Sequence, residues 1–99
     1  MKRAQQDANA KEIVANLRAM GVSVEYASAT HRAGLPDLAC GWRGRSHLLE
    51  LKVLGGHLRP SQVEFSRRWN GCMHVATSSV EAFALIRECH DREPWRGER

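Results

Sequence analysis

The segment GLPDLACGWRGRSHLLELK, residues 34–52, decides how the rest of the chain is read. Two apolar runs flank Arg43-Gly44, and a short glycine-containing connection between such runs signals a β-hairpin. If Arg43 and Gly44 form a two-residue turn, Trp42 faces Arg45. Counting outward in antiparallel register then sets Asp37 opposite Glu50. Side chains alternate along a strand, so Glu50 and Lys52 share one face while Leu49, Leu51 and Val53 turn to the other. Asp37, Glu50 and Lys52 are therefore expected to converge.

Directly opposed residues have Cβ atoms roughly 4.5–5.5 Å apart, and like charges at that spacing destabilise a sheet. A divalent cation held by both carboxylates is the simplest compensation, with Lys52 as a second source of positive charge. The plainer alternative makes Asp37 part of a Pro-Asp turn and pairs Glu50 with Lys52 on a solvated face. Glu50, however, lies in the apolar run LLELKV, where a charge is costly without a purpose. That placement favours the site.

The 99 residues suit one domain, with a core over about residues 5–90 and a charged, proline-broken tail at 91–99 that frays and carries Trp95. Lysine and arginine number 15 against 11 acids, a net charge of +4 that points weakly to a polyanionic partner. No apolar run approaches the roughly 18 residues of a membrane span, and the N-terminus lacks a signal-peptide core, so a cytoplasmic protein without a membrane partner is expected. Cys40, Cys72 and Cys89 are odd in number, widely spaced and set in apolar patterns, and they read as reduced core residues. A zinc set built from Cys72 with His74 and Cys89 with His90 lacks the usual Cys-x2-Cys spacing.

Residues 4–20 read as a helix ended by Gly21, with Ala10, Ile13, Val14, Leu17 and Met20 as its apolar stripe. Glu12 falls on a third side among Ala8, Ala15 and Ala19. An alanine-walled carboxylate can approach another element closely, which makes Glu12 a candidate site residue as well as an ordinary exposed acid. Residues 22–29 alternate as a half-buried outer strand, and the connection THRAGLP brings His31 and Arg32 close to Asp37, where they could meet a phosphate. After the hairpin, LGGHLRP leads into a helix of about ten residues, capped either by Ser61 with Glu64 or, with Pro60 at the first helical position, by Arg59. Gln62 shares a stripe with Phe65, Ser66 and Trp69, so it is expected to face the sheet and to need a hydrogen-bond partner there. Residues 72–77 form a compact strand. Ser78 and Glu81 cap a last helix whose stripe is Ala82, Leu85, Ile86 and Cys89.

The resulting order is α-β-β-β-α-β-α. Pro36-Asp37, then Glu50-Leu51-Lys52 after a gap of 12 residues, with Gln62 downstream, resembles the motif of PD-(D/E)XK nucleases. Four ordered blocks, DANAKEIV, GLPDL, GRSHLLELK and PSQVEF, resemble the small stand-alone VRR-NUC nucleases of phages and prophages, which are similar to archaeal Holliday junction resolvases. The resemblance implies an α/β restriction-endonuclease-like core, a mixed central sheet flanked by helices, and hydrolysis of DNA phosphodiesters with Mg²⁺ or Mn²⁺. It implies that Asp37, Glu50 and the backbone carbonyl of Leu51 ligate metal, that Lys52 activates water and stabilises charge on the phosphate, that Glu12 matches the first-helix acid, and that Gln62 orients Lys52 or touches the phosphate. It also implies a homodimer acting on branched or four-way-junction DNA in a bacterial or phage-infected cytoplasm. The resemblance offers no role for His57 and Arg59, which are candidate DNA contacts. The competing expectation is a non-catalytic DNA-binding or nuclease-accessory module on the same fold.

Overall fold

In the computed structural model of the chain, which describes residues 2–27 and 33–92 with side chains from residue 9 onward, the hairpin closes as the count requires. Strands β2 (Leu38–Trp42) and β3 (Arg45–Leu51) pair antiparallel from Trp42↔Arg45 to Leu38↔Leu49, and continuing that register by one step sets Asp37 opposite Glu50. Arg43 at φ 49° and Gly44 at φ 81° give the two positive φ values of a type I′ turn. The Arg43 guanidinium lies 4.5 Å from the centre of the Trp42 ring, which settles one side chain of the turn onto its own strand.

Around the hairpin the order is α1 (Lys2–Ala19), β1 (Ser23–Tyr26), β2, β3, α2 (Pro60–Arg68), β4 (Cys72–Ala76) and α3 (Ser79–Asp91). The four strands form one mixed sheet in the order β1-β2-β3-β4, antiparallel except for the parallel pair β3–β4. Parallel neighbours require a crossover, and α2 supplies it. The first strand is the outer one, as its alternation predicts, but it ends at Tyr26 rather than at residue 29. His31, Arg32 and Trp95 lie outside the described residues.

The core lies on one face of the sheet. Val24, Leu38, Cys40 and Leu49 point into it and meet Ile13, Val14 and Leu17 of α1 and Ala82 and Ile86 of α3. Each such large aliphatic side chain contributes about 1.5–3 kcal/mol by leaving water. Met20, at the end of the predicted α1 stripe, is 38% exposed and stays outside this cluster. On the second face α2 buries Gln62 and Phe65, and an open groove of about 470 Å³ is lined by Ala39, Gly41, Leu48 and Trp69 among others. Of the two alternatives for the α2 cap, Arg59 holds the N-cap position with Pro60 following. In α3, Ser78 Oγ accepts from the Glu81 N–H at 3.1 Å, the expected cap. Among the described residues no helix is long and apolar enough to cross a membrane.

The cysteines correct an expectation. Cys72 and Cys89 are joined in a disulfide and are not reduced core thiols. Cys72 opens β4 on the core side, and α3 returns over that side until its last turn sets Cys89 with a Cα 6.5 Å from that of Cys72, within bridging range. Only Cys40 is free among the described residues, buried, with its thiol pushed up to about 11 by burial.

Candidate active site

The Gly34-Leu35-Pro36 approach to Asp37 is fixed by packing. Gly34 has φ 85°, and a Cβ there would strike the Ser61 carbonyl, so only glycine lets this loop lie against the first turn of α2. Pro36 is among the largest fully buried side chains. The Asp37 carbonyl accepts from the Ala27 N–H at 2.8 Å, tying the loop to β1. Its side-chain Oδ2 accepts from the Leu51 N–H at 2.9 Å, tying it to β3. In a strand, a residue's N–H and C=O point to the same neighbouring strand, so the Leu51 carbonyl faces the side from which Asp37 approaches.

Glu50 is 3% exposed, one position from Leu49 but on the second face of the sheet. Gln62 Nε2 donates to Glu50 Oε2 at 2.8 Å, and Lys52 Nζ lies 3.4 Å from that same oxygen. The other end of the amide is also used: Gln62 Oε1 accepts from the Arg59 N–H at 2.7 Å, while the Gln62 N–H donates to the Arg59 carbonyl at 2.9 Å. Arg59 thus occupies the cap position without capping through its own side chain, and the third helical residue satisfies its N–H instead. Burial raises the Glu50 carboxyl above the ordinary glutamate range, the Asp37 charge raises it further, and Lys52 and Gln62 offset part of the rise. Two acids therefore bear on one small volume that the lysine only partly neutralises.

Asp37, Glu50, Lys52 and Gln62, with the Leu51 backbone, thus form one linked constellation drawn from the β2 approach, β3 and α2. The remaining candidates are not drawn into it. Glu12 is exposed on α1 and makes no hydrogen bond or ion pair among the described residues. His57 and Arg59 are exposed in the loop between Lys52 and α2. Arg45, at the hairpin end, donates from Nη1 to the Cys89 carbonyl at 2.6 Å, at the C-terminal end of α3.

A second polar cluster escaped the sequence reading. His47 is 1% exposed, on the core face with Leu49, and its Nδ1 lies 3.0 Å from His74 Nε2 on β4. Burial lowers the His47 imidazole to about 4, helped by the charges of His74, Arg45 and His90; His74 is also lowered, by burial first and then Arg92. His47 Nε2 and His90 Nδ1 are buried with no hydrogen-bond partner among the described residues, and the His90 ring meets the Trp42 ring edge-on at 5.1 Å. The signal was present: the alternation that separates Glu50 from Leu49 places His47 with Leu49 and Leu51 on the inward face.

Comparison with protein-family models, with curated proteins and with solved structures finds no match for this chain.

Proposed function

We propose that this protein is a Mg²⁺- or Mn²⁺-dependent DNA endonuclease built on a PD-(D/E)XK core. One observation carries the reading: Asp37, Glu50, Lys52 and Gln62 are tied to one another through Leu51 N–H···Asp37, Gln62···Glu50 and Lys52···Glu50 contacts of 2.9, 2.8 and 3.4 Å.

The donor set fits a hard divalent cation. Asp37, Glu50 and the Leu51 carbonyl offer only oxygen, which Mg²⁺ and Mn²⁺ prefer, and one or two carboxylates suffice where waters and a phosphate complete the shell. Burial first and the Asp37 charge second raise the Glu50 carboxyl, and a cation between the two acids would offset both. When bound, the cation supplies a water acidified from about 15.7 towards neutrality and neutralises charge building on the phosphate.

The chain's own residues do the rest. Asp37 and Glu50 hold the site, each anchored by a hydrogen bond from a separate element. Lys52, its side chain 14% exposed, directs a positive charge to where a phosphate oxygen would lie and donates hydrogen bonds that position the attacking water. Gln62 acts through Glu50 as a positioning residue, since both ends of its amide are already engaged. Glu12 joins this set by resemblance alone. The net charge of +4 and the exposed His57 and Arg59 suit a phosphate backbone, and His31 and Arg32 are proposed as further contacts. A homodimer acting on branched DNA would supply two sites for two strands and twice the basic surface.

The test is a cleavage panel of labelled four-way junction, flap, single-stranded and duplex DNA in Mg²⁺, Mn²⁺ or EDTA, with light scattering to follow assembly. Metal-dependent cleavage that favours branched substrates, by a dimer, is the expected result. Binding without cleavage on every substrate in either metal would instead identify a non-catalytic DNA-binding module.

A further inference from the structure

We propose that reducing the Cys72–Cys89 disulfide turns it into a zinc site, in which both thiolates and the His47 imidazole hold the ion. Three observations converge on it. A ring nitrogen of His47 and the sulfurs of Cys72 and Cys89 all lie within 4.8 Å of one another. His47 Nε2 is a buried nitrogen without a partner among the described residues, a state that calls for an explanation in a folded chain. The other ring nitrogen is already placed, with Nδ1 at 3.0 Å from His74 Nε2, an acceptor standing where zinc-ligating histidines ordinarily have a carboxylate, carbonyl or water. If Nδ1 donates to His74, Nε2 carries the free lone pair.

The distances suit zinc. Zn–S bonds of about 2.3 Å and Zn–N bonds of about 2.0–2.1 Å in a tetrahedron place ligand atoms roughly 3.5–3.8 Å apart. The sulfurs must therefore separate from bonding distance, which side-chain rotation supplies, and the His47 nitrogen, within 4.8 Å of both sulfurs, needs only a small adjustment of the same kind. Thiolate and imidazole select zinc over magnesium, as the oxygen set at Asp37 and Glu50 does the reverse. The two sites also lie on opposite faces of the sheet, since His47 and Glu50 differ by an odd number of positions on β3. Zinc would thus replace the disulfide as the clasp between β4 and α3, keeping the two elements joined in both redox states.

The chemistry balances. A dithiol reductant delivers two electrons and two protons to the S–S bond, leaving two protein thiols and a cyclic disulfide. Zn²⁺ then displaces both thiol protons to solvent as two Zn–S bonds form. A phosphine achieves the same reduction without competing for metal, water supplying its oxygen and the two protons.

Cobalt(II) titration of the metal-free full chain tests this, because thiolate-to-cobalt charge-transfer bands separate a sulfur site from an oxygen site. Phosphine-reduced wild type is expected to take up one equivalent with those bands and to lose them when zinc is added, while the oxidised protein shows none. Cys72→Ser should abolish the bands, His47→Gln should weaken binding more than tenfold, and His74→Phe should weaken it about 10- to 100-fold through loss of the outer contact. Reduced wild type without the bands, or His47→Gln binding as tightly as wild type, would overturn the proposal. The comparison of reduced with oxidised protein uses the native sequence, so it decides even where a substituted chain fails to fold.

Discussion

Replacing Gln62 with leucine removes the polar tie between α2 and the sheet at nearly constant volume, so packing loss stays small. Two interactions disappear. The bond from Nε2 to the buried Glu50 carboxylate, at 2.8 Å, belongs to the class worth about 1.5–3 kcal/mol when one partner is charged. The Oε1 acceptor for the Arg59 N–H, at 2.7 Å, is a helix-capping contact worth about 1 kcal/mol. Together they predict a loss of about 2.5–4 kcal/mol. At about 4–8 °C per kcal/mol for a chain of this length, the melting temperature of metal-free protein should fall by at least about 10 °C. Calorimetric melting at neutral pH measures the total. A double-mutant cycle with Glu50→Ala, which removes the acceptor, separates the parts, with a coupling of about 1.5–3 kcal/mol expected from the carboxylate bond. A fall of less than about 2 °C, or a coupling below about 0.5 kcal/mol, would refute the inference that Gln62 holds Glu50.

Three further outcomes follow from the same contacts. Burial and Asp37 raise the Glu50 carboxyl in the folded chain above its unfolded value, so its contribution to metal-free stability is fully present below the ordinary glutamate range and is lost as pH rises through the raised value. The difference between wild type and Glu50→Gln in melting against pH should show this slope, separated from His47, which is lowered to about 4 and costs stability as pH falls; Mg²⁺ at a hundred times its dissociation constant should restore about 2.7 kcal/mol to wild type at neutral pH and nothing to the variant. Gly34→Ala forces a side chain into φ 85° and against the Ser61 carbonyl, and should cost about 1–3 kcal/mol and lower cleavage by shifting Asp37, read by melting and single-turnover cleavage. Reducing the disulfide without added zinc opens a loop of sequence separation 17 and should lower stability by about 3 kcal/mol in denaturant unfolding.

The parts of this molecule legible in the sequence are those governed by short-range rules. Arg43-Gly44 specifies its turn because few two-residue connections match strand twist, and the turn then fixes every pair up to Asp37 and Glu50. Gln62 could be aimed at the sheet because helix periodicity links it to Phe65, and both are buried. The α2 cap had two local solutions, and the contact of Gln62 with both Arg59 and Glu50 selected one of them. The disulfide was out of reach for a different reason. Cys72 and Cys89 meet only because β4 pairs parallel to β3 and α3 folds back over it, a tertiary relation that no local pattern encodes. His47 was legible by alternation, but its partner His74 was not, since that pair depends on the β3–β4 register. Glu12 lay on an alanine-walled side of its helix and is nevertheless exposed, because periodicity gives the face of a helix and not what packs against it.

The most direct test of the account compares wild type and Lys52→Ala on labelled branched DNA, in Mg²⁺ and in EDTA, with binding measured in parallel. Cleavage by wild type should require the metal and should fall about 10²- to 10³-fold in the variant, as expected for loss of one preorganised charge at the phosphate, while DNA affinity changes little. Cleavage that survives both EDTA and the loss of Lys52 would contradict it.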